Sequence, residues 1–234
     1  MPKSEVTFGL VHGSWHGAWC WSLLQPELEV RGYKSLAMDL PIDDSESNFD
    51  DYADVVVDSL KDEAEVILVG HSRAGNVIPR AASGLATKKL IYLCGSFEPS
   101  TIGHPVKGEK GRIPIRNNQR FQQGLITLEG DLTLFDRHLA KELFFSDCFP
   151  EIKEWAADQL RPQRRSSEEP TLDIWPDTPQ EYIICKDDLV VNPDWSRYVA
   201  VNWLGIKPIE IPGGHSPFLS KPQELASLLI SLVE

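Results

Sequence analysis

Four apolar runs, at residues 6–13, 66–72, 89–96 and 181–188, restrict the fold more than any other feature of the chain. They read VTFGLVHG, VILVGHS, KLIYLCGS and EYIICKDD, and they do not alternate apolar with polar residues. A strand with one wet face alternates with period two, whereas a strand covered on both faces reads as an unbroken apolar run. SLAMDLP (35–41) and PIEIPGG (208–214) are weaker runs of the same kind. Helical patterning fills the intervals, over residues 18–31, 49–62, 72–86, 193–204 and 221–233. Strands alternating with helices form βα units with right-handed crossovers, so an α/β fold with a mostly parallel sheet of about six strands is expected.

The rhythm breaks between Phe97 and Trp175, where no strand pattern is visible. The interval holds TIGHPVKGEKGRIPIRNN, the helical stretches LTLFDRHLAKELFF and FPEIKEWAADQL, and the charge-rich RPQRRSSEEP. It is too long for a single crossover and is expected to be a helical cap, residues 97–175, inserted after the fourth core strand. Residues 1–96 and 176–234 would then form one core domain. Pro79 falls inside the expected 72–86 helix, where it removes a hydrogen bond, and nothing in the sequence compensates.

Composition narrows the function. A chain of 234 residues with 41% hydrophobic residues can bury one sizeable core. A net charge of −12 and a pI near 5.0 argue against nucleic acid and against anionic membranes as partners. The opening MPKSEVTFGLVHG lacks the apolar stretch of a signal peptide, and no run reaches membrane-spanning length, so a cytoplasmic protein is expected. Cys20, Cys94, Cys148 and Cys185 lack metal-ligand spacing and are expected to be reduced thiols, with no metal.

The run at 66–72 ends in Gly70-His71-Ser72-Arg73-Ala74-Gly75. A strand that turns sharply into a helix strains the turn residue and needs small residues two before and two after it, which is the content of G-x-S-x-G. Ala74 stands where that pattern has its second glycine. Taken alone, Ser72 fits either a nucleophile or a helix N-cap. A serine nucleophile needs a histidine base and an acid, in the chain order Ser, Asp or Glu, His. His215, in IPGGHSPFL, comes after the last strand candidate; Asp187 and Asp188, in IICKDDLVVNP, come after the one before it. His71 is expected to pack, because adjacent turn residues point apart. His12 and His16 belong to the first loop, and His104 and His138 to the insertion. Two main-chain N–H groups should receive the developing oxyanion, from Arg73 and from Ser14 in HGSWHGAWCW. Trp15, Trp19 and Trp21 are expected to pack helix against sheet, with a substrate platform as the lesser reading.

LVHGSWHGAWCW, LVGHSRAGNVI, FFSDCFPEIKEWAADQLRPQ, CKDDLVVNP and PGGHSPFLSKPQEL together resemble the α/β-hydrolase superfamily. Within it they resemble the branch of plant methylesterases, salicylic-acid-binding methylesterase and hydroxynitrile lyases, with bacterial esterase relatives. The resemblance covers nearly the whole chain and implies an α/β-hydrolase fold, a buried pocket under a small helical cap, and no cofactor. It implies a triad of Ser72, Asp188 and His215, with oxyanion donors Ser14 and Arg73; Asp188 fits because Val191 and then Pro193 come after it. Glu98, after the third of the four main runs, is the alternative acid, since some relatives carry it there. The implied reaction is hydrolysis of a small carboxylic ester through an acyl-enzyme, and the resemblance allows a homodimer. The lyases of this branch carry lysine after the catalytic histidine and threonine after the first loop histidine, where this chain has Ser216 and Gly13. Cyanohydrin cleavage, or a small-molecule receptor with little turnover, are the alternatives.

Overall fold

β1 (Val6–Val11) is buried along its whole length, as its unbroken apolar run requires. The computed structural model describes residues 5–97, 113–116, 119–165, 171–172 and 174–233. After β1 come α1 (Leu24–Glu29), β2 (Lys34–Met38), α2 (Phe49–Leu60), β3 (Glu65–His71), α3 (Ile78–Ala81) and β4 (Thr87–Leu93). The inserted segment contributes β5 (Leu125–Thr127), β6 (Leu132–Phe135), α4 (Arg137–Leu143), α5 (Pro150–Asp158) and β7 (Gln163–Arg164). The chain then returns through β8 (Gln180–Cys185), α6 (Pro193–Asn202), β9 (Ile209–Ile211), α7 (Pro217–Ser220) and α8 (Pro222–Ser231).

The main sheet has six strands in the order β2-β1-β3-β4-β8-β9, and each neighbouring pair is parallel. All six coincide with the apolar runs of the sequence. The chain leaves β1 toward one edge to make β2, then crosses back to make β3 on the other side of β1. Loops after β1 and β3 therefore diverge and leave a crevice at the carboxyl ends of these strands, where open α/β sheets bind ligands.

Two local expectations fail. The segment 72–86 is not one helix but a 3-10 turn (Ser72–Asn76), the one-turn α3 and a second 3-10 turn (Ala82–Gly84). Pro79 lies in the first turn of α3, where a missing N–H costs no helical bond. Carbonyls near the break are taken by side chains instead. Asn76 Nδ2 donates to Arg73 O (3.0 Å) and Ser96 O (2.8 Å), and Arg80 donates to Asn76 O. Pro79 therefore needs no compensating bond, because the segment breaks and restarts just before it. The segment 18–31 is likewise divided, into a 3-10 turn (Ala18–Trp21) and α1.

The second failure is in the insertion, which is not purely helical. LTLF forms β6, paired antiparallel with β5 and β7 in a three-stranded sheet. Thr133 and Phe135 on β6 are buried while Leu132 and Leu134 are less so, a period of two too short to be noticed beside the helix that comes next. Asp136 ends the strand and caps α4, accepting from Leu139 N at 2.8 Å. Cys20, Cys94, Cys148 and Cys185 are all free and buried. Among the described residues no helix is long and apolar enough to cross a membrane.

α2 packs its buried residues Phe49, Tyr52, Ala53, Val56 and Leu60 toward the sheet and begins with a full capping box. Asn48 Oδ1 accepts from Asp50 N and Asp51 N, while Asp51 Oδ2 accepts from Asn48 N. Replacing Asn48 by alanine should lower unfolding free energy by about 0.5–2 kcal/mol. It should appear in urea denaturation as a lower midpoint with an unchanged slope.

Candidate active site

Ser72 comes directly after β3, at φ 52°. A positive φ strains any residue with a side chain, and here it falls on the turn where the sequence pattern requires it. Trp15 (φ 58°) and Cys94 (φ 49°) take the same conformation after β1 and β4, so strained turns gather at one edge of the sheet. Small residues make the elbow possible. A Cβ at Gly70 would lie 3.0 Å from Ala74 O and from Ile78 Cδ1. Ala74 itself is buried at 1% exposure, so the extra methyl of this elbow is accommodated.

Register brings the first loop onto the elbow, because Val11 pairs with Gly70. A Cβ at Gly13 would sit 2.9 Å from Ser72 Cβ and 3.0 Å from His71 O. A threonine at this position would collide with the elbow. Ser14, next along, lines one narrow cleft together with Ser72 and His215. The Arg73 guanidinium instead lies over the Phe49 ring, 4.7 Å from its centroid, so a role for Arg73 at Ser72 belongs to its main chain.

The two acid candidates separate cleanly. Asp188 is 2% exposed and its Oδ2 accepts from His215 Nδ1 at 2.8 Å. Its Oδ1 accepts from Val190 N (2.7 Å) and Val191 N (2.9 Å). The bond to a carboxylate places the proton on Nδ1 and leaves Nε2 as the basic nitrogen of the neutral ring. Asp187 is exposed, and its Oδ2 accepts from Gly213 N (2.9 Å), bracing the loop that carries His215. Glu98 and His104 lie outside the described residues. Ser72 and the His215 imidazole line the same cleft without a hydrogen bond joining them.

Three more histidines lie beneath these groups, all buried. Burial pushes the His12 pKa down to about 4 and that of His16 down to about 3. Burial, then the neighbouring His215, holds His71 well below the ordinary value. Each is neutral and fixed. His12 Nε2 accepts from Leu40 N (3.0 Å), so Nδ1 carries the proton and donates to Gly13 O (2.9 Å). His16 Nδ1 donates to Ser14 O (2.6 Å), which orients the Ser14 peptide. His71 packs, as expected, and its Nε2 donates to His215 O (2.9 Å). His138 is exposed on α4 beside Glu142.

Cys94, Asp188 and His215 bring possible metal-ligand atoms within 4.8 Å of one another. Asp188 already accepts on both oxygens. Burial, the Cys185 thiol and the nearby Asp188 all push the Cys94 thiol up, so it stays protonated. With that thiol protonated and Asp188 bonded to His215, the trio is not an open ligand set.

Sequence reasoning missed the braces around the site. Trp21 packs within the core against Phe218, as expected, with ring centroids 4.7 Å apart. Trp15 does not: it lines the cleft and packs on Phe121, Phe135 and Phe144 of the insertion. Its N–H donates to Gln163 Oε1 (2.8 Å) and its O accepts from Arg161 N (2.8 Å). Asp147, in the FFSD stretch, accepts from Gly214 N at 2.9 Å and so holds the His215 loop from the other side. Its signal was faint: an acid far away in sequence and a glycine pair whose N–H groups need acceptors.

A histidine kept neutral by the fold makes the unfolded chain the stronger proton binder below its unfolded pKa. The stability held by His12, His16 and His71 is thus present above about 6.5, and is lost as pH falls from there through about 4 and about 3. Each group removes about 1.4 kcal/mol per pH unit in that window. The urea midpoint should therefore fall steeply between about pH 6.5 and 5, before most carboxylates titrate. A flat midpoint across that interval would mean that these rings are not held neutral.

Comparison with known proteins places this geometry in a family. Methylesterase 3 of Arabidopsis thaliana is 28% identical over 258 residues, spanning 95% of this chain and 94% of that protein. The alpha-hydroxynitrile lyase of the same plant is 28% identical over 259 residues, spanning 96% of each. The crystal structure of a pyrethroid hydrolase from Sphingobium faniae JZ-2 superposes with a TM-score of 0.79 at 25% identity, covering 97% of this chain and 96% of that one. The sequence profile of the alpha/beta hydrolase family matches residues 10–228, and the chain belongs to that family.

Proposed function

We propose that this protein is a serine hydrolase of small carboxylic esters, with Ser72 as nucleophile, His215 as base and Asp188 as the acid that orients it. The observation that carries the reading is that a strained Ser72 and His215 line one cleft at the carboxyl edge of the sheet, with Asp188 hydrogen-bonded to His215 Nδ1 behind it. The methylesterase and hydrolase names among the relatives support it.

In the proposed reaction His215 Nε2 takes the Ser72 proton as Oγ attacks the ester carbonyl. The main-chain N–H groups of Ser14 and Arg73 receive the oxyanion. His215 then protonates the departing alcohol and activates the water that releases the acid. Asp188, with Val190 N, Val191 N and His215 Nδ1 donating to it, stabilises the imidazolium without leaving the hydrogen-bonded array. The insertion, read as a cap over residues 97–175, is joined to the core 1–96 and 176–234 by Trp15. It contributes Phe121 and Phe144 to the wall of the cleft.

Cyanohydrin cleavage is the second reading, because a relative of equal identity is a lyase. Ser216 argues against it. It stands where the lyases of this branch have lysine, is fully buried, and offers no charge to a departing cyanide.

Ser72→Ala should abolish labelling by a fluorophosphonate and remove several orders of magnitude of ester turnover. Asp188→Asn should lower the rate by about 10³–10⁴, by disturbing the imidazole tautomer. Asp187→Asn keeps an acceptor for Gly213 N and should cost far less; the reverse order would move the acid to Asp187. Mandelonitrile and a p-nitrophenyl ester offered to one preparation separate the two reactions. Cyanide release without ester turnover would overturn the esterase reading.

A further inference from the structure

RPQ, at residues 161–163, ends one of the stretches that carry the family resemblance, and the proposed reaction gives it no part. In the structure it closes on Trp15, in the first loop. Gln163 Oε1 accepts from Trp15 N (2.8 Å), and Arg161 N donates to Trp15 O (2.8 Å). Trp15 Nε1 donates to Thr133 Oγ1 (3.3 Å), which in turn donates to Gln163 O (3.1 Å). Gln163 and Thr133 are both buried. Every polar group of Trp15 is thus held by the insertion.

Trp15 needs such a hold. Its φ of 58° lies in the left-handed region, which a residue with a side chain keeps only where its surroundings fix it. The peptide joining it to Ser14 is gripped at both ends: Ser14 O accepts from His16 Nδ1 (2.6 Å), and Trp15 N donates to Gln163. One peptide earlier, between Gly13 and Ser14, the oxygen accepts from His12 Nδ1 (2.9 Å). This peptide is trans, so its N–H and C=O point to opposite sides. Ser14 N–H is therefore turned away from His12, and no acceptor among the described residues meets it. The two peptides share the Ser14 Cα, so releasing one frees the other to turn.

Building on the esterase reading, we propose that Gln163 is a positioning residue of the oxyanion site: by holding Trp15 in its strained turn, it fixes the Ser14 N–H that receives the oxyanion. A donor fixed in advance stabilises developing charge without having to reorient as the charge forms. Its contribution is greatest in the transition state, so losing the hold lowers kcat. A glutamine that merely fastened the insertion to the core would instead affect stability or KM.

The test replaces Gln163 by methionine, which keeps the length of the side chain and loses the acceptor. The substrate is p-nitrophenyl butyrate, and active enzyme is counted by fluorophosphonate titration. Gln163→Met should lower kcat by about tenfold and leave KM within about twofold, whereas outright loss of an oxyanion donor costs about 10²–10³. Phenethyl trifluoromethyl ketone reports on the same site through binding. Ser72 Oγ adds to its carbonyl carbon, the Ser72 proton passes to His215 Nε2, and the ketone oxygen becomes an oxyanion. Its affinity should fall in Gln163→Met by the same factor as kcat, while that of phenethyl methyl ketone stays the same. An unchanged kcat, a change confined to KM, or an unaltered trifluoromethyl ketone affinity overturns the proposal. If circular dichroism shows Gln163→Met unfolded, Thr133→Val, which keeps the shape and cuts both bonds of the hydroxyl, decides by the same ratios. If wild type cleaves no ester, the esterase reading fails separately. Hydrogen–deuterium exchange at the Ser14 and Trp15 amides then decides: faster exchange in Gln163→Met upholds the positioning role, and equal exchange overturns it.

Discussion

The site depends on the close approach of two backbones. Parallel pairing sets Val11 beside Gly70, and the two strands then end at the same height. Their two exit loops must share one small volume, with Gly13 on one side and His71 and Ser72 on the other. No side chain fits at position 13 without displacing the elbow. That contact sets Ser14 beside Ser72 and makes an oxyanion pocket possible. It also explains why strained turns fall here, since diverging loops at a topological switch point must bend sharply to leave room.

Beneath the cleft lie three buried imidazoles, those of His12, His16 and His71. His12, His16 and His71 each place a ring N–H on a backbone carbonyl, at Gly13, Ser14 and His215 respectively. These carbonyls belong to the loops that carry the proposed chemistry, so the rings fix peptide orientation more than they contribute charge. Neutrality is part of this role, because three imidazolium ions packed under His215 would repel the cation formed there in the proposed reaction. Asp188 supplies the opposite environment, a buried carboxylate held by two main-chain donors and an imidazole.

The insertion is connected to this centre through few, specific contacts. Trp15 belongs to the first loop, yet its ring lies among Phe121, Phe135 and Phe144. Asp147 holds Gly214, and residues 113–116 are strapped to the loop after Asp188. Aromatic clusters of this kind gain from ring geometry as well as from burial. They tie the walls of the cleft to the residues proposed to react.

The sheet and the chain order of the proposed reacting groups were legible in the residues alone. Unbroken apolar runs mark doubly covered strands, and all six strands of the main sheet lie where those runs do. Local chemistry also marked the elbow, since Gly70 and Ala74 flanking Ser72 describe a turn that tolerates little else. Features set by contacts between distant segments were not legible. Asp187 and Asp188 are the same residue type in the same turn, and only the fold turns one inward to His215 and the other outward to Gly213. Pro79 looked uncompensated because local pattern did not show that the 72–86 segment breaks and restarts just before it. Trp15 carries no local pattern at all. Its meaning comes from which surfaces the folded chain brings against it, and periodicity records only whether a residue is buried, not by what.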